Sequence, residues 1–139
     1  MHQATERVYE TLLRKEIKCR IRETDKASMV EVSFNGKTFP TATFFCISNS
    51  EGNDVAIRAV NIVKFQQDRL GRLLDACNDV NRRFRFVKFV VDAKNCAVNI
   101  EMDIPACCEN VGEAAGELLV RAASILDNVY AQLMQAAWA

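Results

Sequence analysis

Histidine is almost absent from this 139-residue chain, which has one, His2, at a position expected to fray. That scarcity removes a Ser/His/Asp triad, a Cys/His dyad and any zinc site built on histidine. Glycine-rich phosphate cradles are missing as well: neither G-x-x-x-x-G-K-[ST] nor G-x-G-x-x-G occurs. With two prolines and five glycines, there is no linker, low-complexity run or internal repeat. Eighteen basic and 18 acidic residues leave no net charge, which argues against general electrostatic binding to nucleic acid or anionic membrane. No apolar run approaches the length needed to span a bilayer. The first residues, Met1 to Lys15, are charged and amphipathic, without the apolar stretch and cleavage site of a signal peptide. The chain is therefore expected to start at Met1 and remain in the cytoplasm.

Six cysteines are present, yet no C-x-x-C pair and no Cys/His cluster forms. In a reducing compartment all six are expected to stay free and to pack as small hydrophobes. Of the adjacent pair Cys107 and Cys108, one is expected to pack under the following helix. No metal or cofactor is expected.

Half the residues are apolar, enough for one core, and residues 1–139 are expected to form a single domain. Ala4 to Lys15 carries Val8, Tyr9, Leu12 and Leu13 on one helical face. A strand-rich stretch follows. Ile17, Cys19 and Ile21 alternate with basic residues, then Val30, Val32 and Phe34 alternate with polar ones, and Asn35-Gly36 predicts a tight reversal. Thr41 to Ile47 and Val55 to Val63 are further strands, separated by a polar loop, Ser48 to Asn53. Asp68 to Asn81 is a helix with the apolar stripe Leu70, Leu73, Leu74 and Cys77. Phe84 to Val91 and the strictly alternating Cys96 to Ile104, stopped by Pro105, form two more strands across an Asp92–Asn95 turn. A long helix, Glu109 to Ala137, closes the chain on a stripe that includes Val111, Ala115, Leu118, Ala122, Ile125, Val129 and Leu133. The predicted fold is α+β: an antiparallel sheet of five to six strands, order α-β(3-4)-α-β-β-α, with helices on one face.

Chemistry-bearing residues are sparse. Glu101 and Asp103 share one strand face about 7 Å apart and could serve acid–base work. Beside Lys88 they read more simply as a cross-strand charge pattern. The string Arg82-Arg83-Phe84-Arg85-Phe86-Val87-Lys88-Phe89 mimics the aromatic strand of RNA-recognition motifs. It lacks the small residues at positions 83 and 85, and no partner strand is visible. Single-stranded RNA binding is the alternative function it suggests. Gly112 and Gly116 read as close packing inside a helix, and Asn78 and Asn81 as structural residues at a helix end.

From about Leu74 to Pro105 the pattern is familiar. Leu74, Asn78 and Asn81 form a Leu-x-x-x-Asn-x-x-Asn arrangement before an aromatic strand, an acidic turn and an alternating strand ending in Ile104-Pro105. A long amphipathic helix with Tyr130 near its end follows. This resembles the YbjN-type bacterial domains, labelled putative sensory transduction regulators, and the related type III secretion chaperone fold. The resemblance implies a non-enzymatic accessory domain that binds another protein or itself, since such chaperones dimerise and hold extended client segments.

Apolar residues also exceed what one sheet face requires. Phe84 and Phe86 point one way and Phe89 the other on their predicted strand, and Phe44 and Phe45 diverge similarly. A homodimer is expected, with the sheet, the second helix or both making the contact, and Phe44, Phe45, Phe84, Phe86 and Phe89 are the candidate interface residues. The other expected partner is a protein client of unknown identity.

Overall fold

A computed structural model describes residues 2–49 and 54–139. The order is α1 (Gln3–Arg14), β1 (Cys19–Glu23), β2 (Ala27–Phe34), β3 (Ala42–Asn49), β4 (Asp54–Lys64), α2 (Leu70–Arg83), β5 (Lys88–Asp92), β6 (Ala97–Pro105) and α3 (Val111–Trp138). A short 3₁₀ turn, Gln67–Arg69, leads into α2. All six strands are antiparallel, in the order β1-β2-β3-β4-β6-β5. The α+β class, the strand number and the element order match the sequence reading.

Alternation decides which face is covered. Val30, Val32, Phe44, Cys46, Val55, Ile57, Phe89, Val98, Ile100 and Met102 are buried, while their neighbours Met29, Glu31, Phe45, Ile47, Arg58 and Glu101 are only half-buried. The helices therefore lie on one face, as the alternation predicts. The 28 residues of α3 reach about 42 Å at 1.5 Å per residue. Six strands about 4.8 Å apart are only about 24 Å wide, and α3 packs over the middle of the sheet, against β3, β4 and β6. It meets α1 at one end, where a Cβ on Gly112 would collide with Thr11 and the Arg7 carbonyl. Gly116 makes looser contacts with Lys15 and Leu12. At the other end Gln132 donates to Asp79 of α2 (2.9 Å) and accepts from Arg83 (2.6 Å).

Four local expectations need correction. Asn35-Gly36 does not make a tight hairpin, because Phe34 pairs with Ala42 and residues 35–41 form a longer loop. That loop docks on α3: Phe39 is buried beside Tyr130, and Thr38 donates its N–H and hydroxyl to the Asp127 carboxylate at 2.8 and 2.9 Å. Leu74 is 51% exposed, since the α2 stripe is Leu73, Cys77 and Val80, rotated away from Leu74. The predicted strand Phe84–Val91 starts only at Lys88, because α2 runs on to Arg83 and residues 84–87 are its exit. Leu118 is half-buried at the margin of the α3 stripe, whose centre is Leu119. Of the polar loop expected at Ser48–Asn53, residues 50–53 lie outside the described residues.

Candidate functional site

The exit of α2 builds the first candidate surface. Phe84 N–H still bonds the Val80 carbonyl at 3.1 Å, closing the helix. Four residues later the chain must enter β5, and it turns through Phe86, whose φ is 71°. Val87 N–H reaches back to the Arg85 carbonyl at 2.8 Å across that residue. A three-residue turn with positive central φ is rare and strained for a bulky side chain. It throws the ring outward, leaving it 66% exposed, with the Arg121 guanidinium 5.2 Å from its centroid. Beneath the ring lies a cleft of about 340 Å³, walled by Ile104 and Pro105 at the end of β6 and by Ala114 and Leu118 on α3. Asp103, Glu117 and Arg121 form its polar margin, and Arg121 bonds Glu117 at 2.8 Å.

The second surface is the uncovered sheet face. One cross-strand row reads Arg22, Met29, Ile47, Ala56, Asp103 from β1 to β6. The next reads Arg20, Glu31, Phe45, Arg58, Glu101, Lys88 from β1 to β5. Ion pairs lace the rows: Glu31 with Arg20 and with Arg22 (3.3 Å), and Arg58 with Asp103 (2.9 Å) and Glu101 (4.0 Å). The Arg20 hydrogen bond holds the Glu31 carboxyl below its ordinary range, against a smaller opposing effect of burial.

The five predicted interface aromatics thus divide. Phe44 and Phe89 are enclosed in the core and present no surface. Phe84 is half-buried with Arg83 stacked on its ring. Phe45 lies mid-row on the open face, and Phe86 stands over the cleft. No shared strand carries Phe84, Phe86 and Phe89, so the aromatic platform that the RNA-binding alternative needs does not form. Glu101 and Asp103 flank Arg58, which is the geometry of a charge pair. The cleft walls Leu118, Ile104 and Pro105 were missed as site residues because each reads as ordinary core or strand end in sequence.

Asn81 takes a structural role. Its side chain accepts from Phe89 N–H (2.8 Å) and donates to the Phe89 carbonyl (3.0 Å), satisfying the outer edge of β5. Asn78 is exposed. His2, expected to fray, instead places Nδ1 3.3 Å from Ser48 Oγ, but Ser48 is buried against Thr5. Cys108 packs on the core while Cys107 is exposed. Burial pushes the Cys46 thiol up to about 12 and that of Cys77 to about 11. Among the described residues, no three His, Cys, Asp or Glu side chains gather as a metal site, and no helix is long and apolar enough to cross a membrane.

An antiparallel sheet with helices on one face, a charge-laced open face and an apolar cleft at one corner defines an α+β domain. The chain belongs to the YbjN family, described as putative bacterial sensory transduction regulators, whose pattern matches residues 4–134. A comparison with curated proteins returned no match.

Proposed function

We propose that this YbjN-family chain is a non-enzymatic regulatory domain that binds an apolar segment of a client protein in the cleft under Phe86. The observation that carries the reading is Phe86 itself: a large ring held outward by a strained turn, over a cleft with apolar walls. A backbone conformation that costs about 1–3 kcal/mol persists where the fold over-determines it, and such sites cluster at ligand clamps. The cleft suits one or two apolar side chains, and its Asp103, Glu117 and Arg121 rim suits the polar backbone on either side. The resemblance to secretion chaperones that hold extended client segments agrees with this mode, and so does the family's regulatory description.

Selection from a displayed random-peptide library tests the proposal. Enriched peptides should carry large apolar anchors. Phe86→Ser and Leu118→Ser should each weaken their binding at least about tenfold, since burying such a side chain is worth about 1.5–3 kcal/mol. Peptides whose binding ignores both substitutions, or a failure to enrich any, would count against it.

A further inference from the structure

We propose that the open sheet face is a self-complementary interface, and that two copies of this chain pack on it face to face about a twofold axis running along β3. The charges on that face follow a fixed order. Outward residues are basic on β1 (Arg20, Arg22), acidic on β2 (Glu31), apolar on β3 (Phe45, Ile47), basic on β4 (Arg58) and acidic on β6 (Glu101, Asp103). The signs on the two sides of β3 are therefore opposite, position by position. The β1–β2 side carries two arginines and one glutamate, and the β4–β6 side one arginine, one glutamate and one aspartate.

Rotation about β3 exchanges the two sides. It lays β1 of one protomer over β6 of the other, and β2 over β4. Arg20 then faces Glu101, Arg22 faces Asp103 and Glu31 faces Arg58, each twice by symmetry. Phe45 and Ile47 meet their own copies on the axis, and Met29 meets Ala56. Charge complementarity of this kind fixes register and rejects other alignments, and the isologous twofold is the commonest arrangement of oligomers. Packed sheets sit about 10 Å apart, offset by about 30°. The pairs farthest from the axis carry long side chains that absorb that offset. Five strands about 4.8 Å apart, with outward residues spaced about 7 Å, present a face on the order of 500 Å² per protomer before side-chain relief. Doubled, that is about 1,000 Å² in total, below the standard range of about 1,200–2,000 Å² and among weak, transient contacts. A weak dimer follows, with a dissociation constant in the micromolar range. Met29, Phe45 and Ile47 are half-buried in the single chain, and the second copy would cover the rest of them.

Sedimentation equilibrium on the wild type, Arg20→Glu, Glu101→Arg and an equimolar mixture of the two variants tests this. The wild type should show a dimer mass at tens of micromolar. Each variant alone should associate at least about tenfold more weakly, because two like-charge contacts replace two attractive ones. The mixture should recover the dimer, since each reversed residue then faces a reversed partner. Circular dichroism melting confirms that both variants fold. A monomeric wild type, variants that associate as well as the wild type, or a mixture that stays monomeric would overturn the proposal. Loss of the dimer in Leu118→Ser with the sheet face intact would move the interface to the cleft and likewise overturn it.

Discussion

Glu16 and Phe86 both sit at positive φ, 60° and 71°, for different reasons. Glu16 closes α1: its N–H bonds the Leu13 carbonyl and Ile17 N–H bonds the Leu12 carbonyl, the paired bonds of a Schellman motif. Any residue without a Cβ penalty does this better, and glycine has none. Glu16→Gly is expected to raise stability by about 0.5–1 kcal/mol, read as a higher urea midpoint at unchanged slope. A lower midpoint would mean the exposed glutamate contributes more than its backbone strain costs. Phe86 bears the same strain without capping a helix, and replacing it with glycine would remove the ring that stands over the cleft. Gly36 makes a third case. Its φ lies outside the left-handed region, but any Cβ there would strike the Phe39 ring and the Asp127 carboxylate. Space, not conformational freedom, requires glycine in that loop.

At the level of elements, α3 serves two surfaces with adjacent residues. Leu119 is fully enclosed against the sheet, while Leu118 is half-buried and faces the cleft. Leu119→Asp is expected to leave the chain unfolded or aggregated, since a buried unpaired charge removes several kcal/mol from a typical total of about 5–15. Leu118→Asp should fold, with a melting temperature only a few degrees lower. Equal loss in both would place Leu118 in the core. This pair also marks the limit of what was legible in sequence. β6 was readable from Val98 onward because strict alternation up to Ile104 admits only one buried face, but Ala97, expected on the polar side, is buried too, and Cys96 lies before the strand at φ 49°. The α2 stripe was harder: Leu70, Leu73, Leu74 and Cys77 satisfy helical spacing, but docking turns Val80, not Leu74, toward the core. Phe84 to Val87 misled because aromatic and β-branched residues look the same in a strand and in a strained helix exit. Asn35-Gly36 misled because the loop's length is set by its distant anchor, Asp127. The cleft was illegible for a related reason, since its walls come from residues 86, 104–105 and 114–121.

Across the whole molecule, pH should bound stability on both sides. Three carboxylates tie α3 to distant segments, or receive its side chains, and all lie below their ordinary range. For Asp127 the main cause is the Thr38 N–H, for Glu113 the hydrogen bond from Arg14, and for Asp79 the one from Gln132. A group whose folded pKa is depressed stabilises above its unfolded value, and that contribution is lost as pH falls through the folded value. Unfolded carboxyls titrate near 3.9–4.3, so the loss begins as pH drops below about 5. Asp79 and Glu113 are exposed and Asp127 is half-buried at the surface, so each contributes little alone, and the acid limb should be shallow. The alkaline side rests on buried thiols. Cys46, raised to about 12, and Cys77, raised to about 11, are neutral in the fold. Their stabilisation is complete below the unfolded thiol value, near 8.5, and is lost as pH rises toward the folded values. Melting temperature measured under reducing conditions should therefore be flat between about pH 5 and 8 and fall on either side. The protection of the Thr38 amide against exchange, relative to its intrinsic rate at each pH, should fall early on the acid limb, because its N–H is held by a carboxylate that then protonates. In Asp127→Asn that acid sensitivity at Thr38 should vanish while the alkaline limb stays. An acid limb that begins above pH 6, or a melting temperature that rises beyond pH 9, would contradict the assignment of the two limbs to these groups.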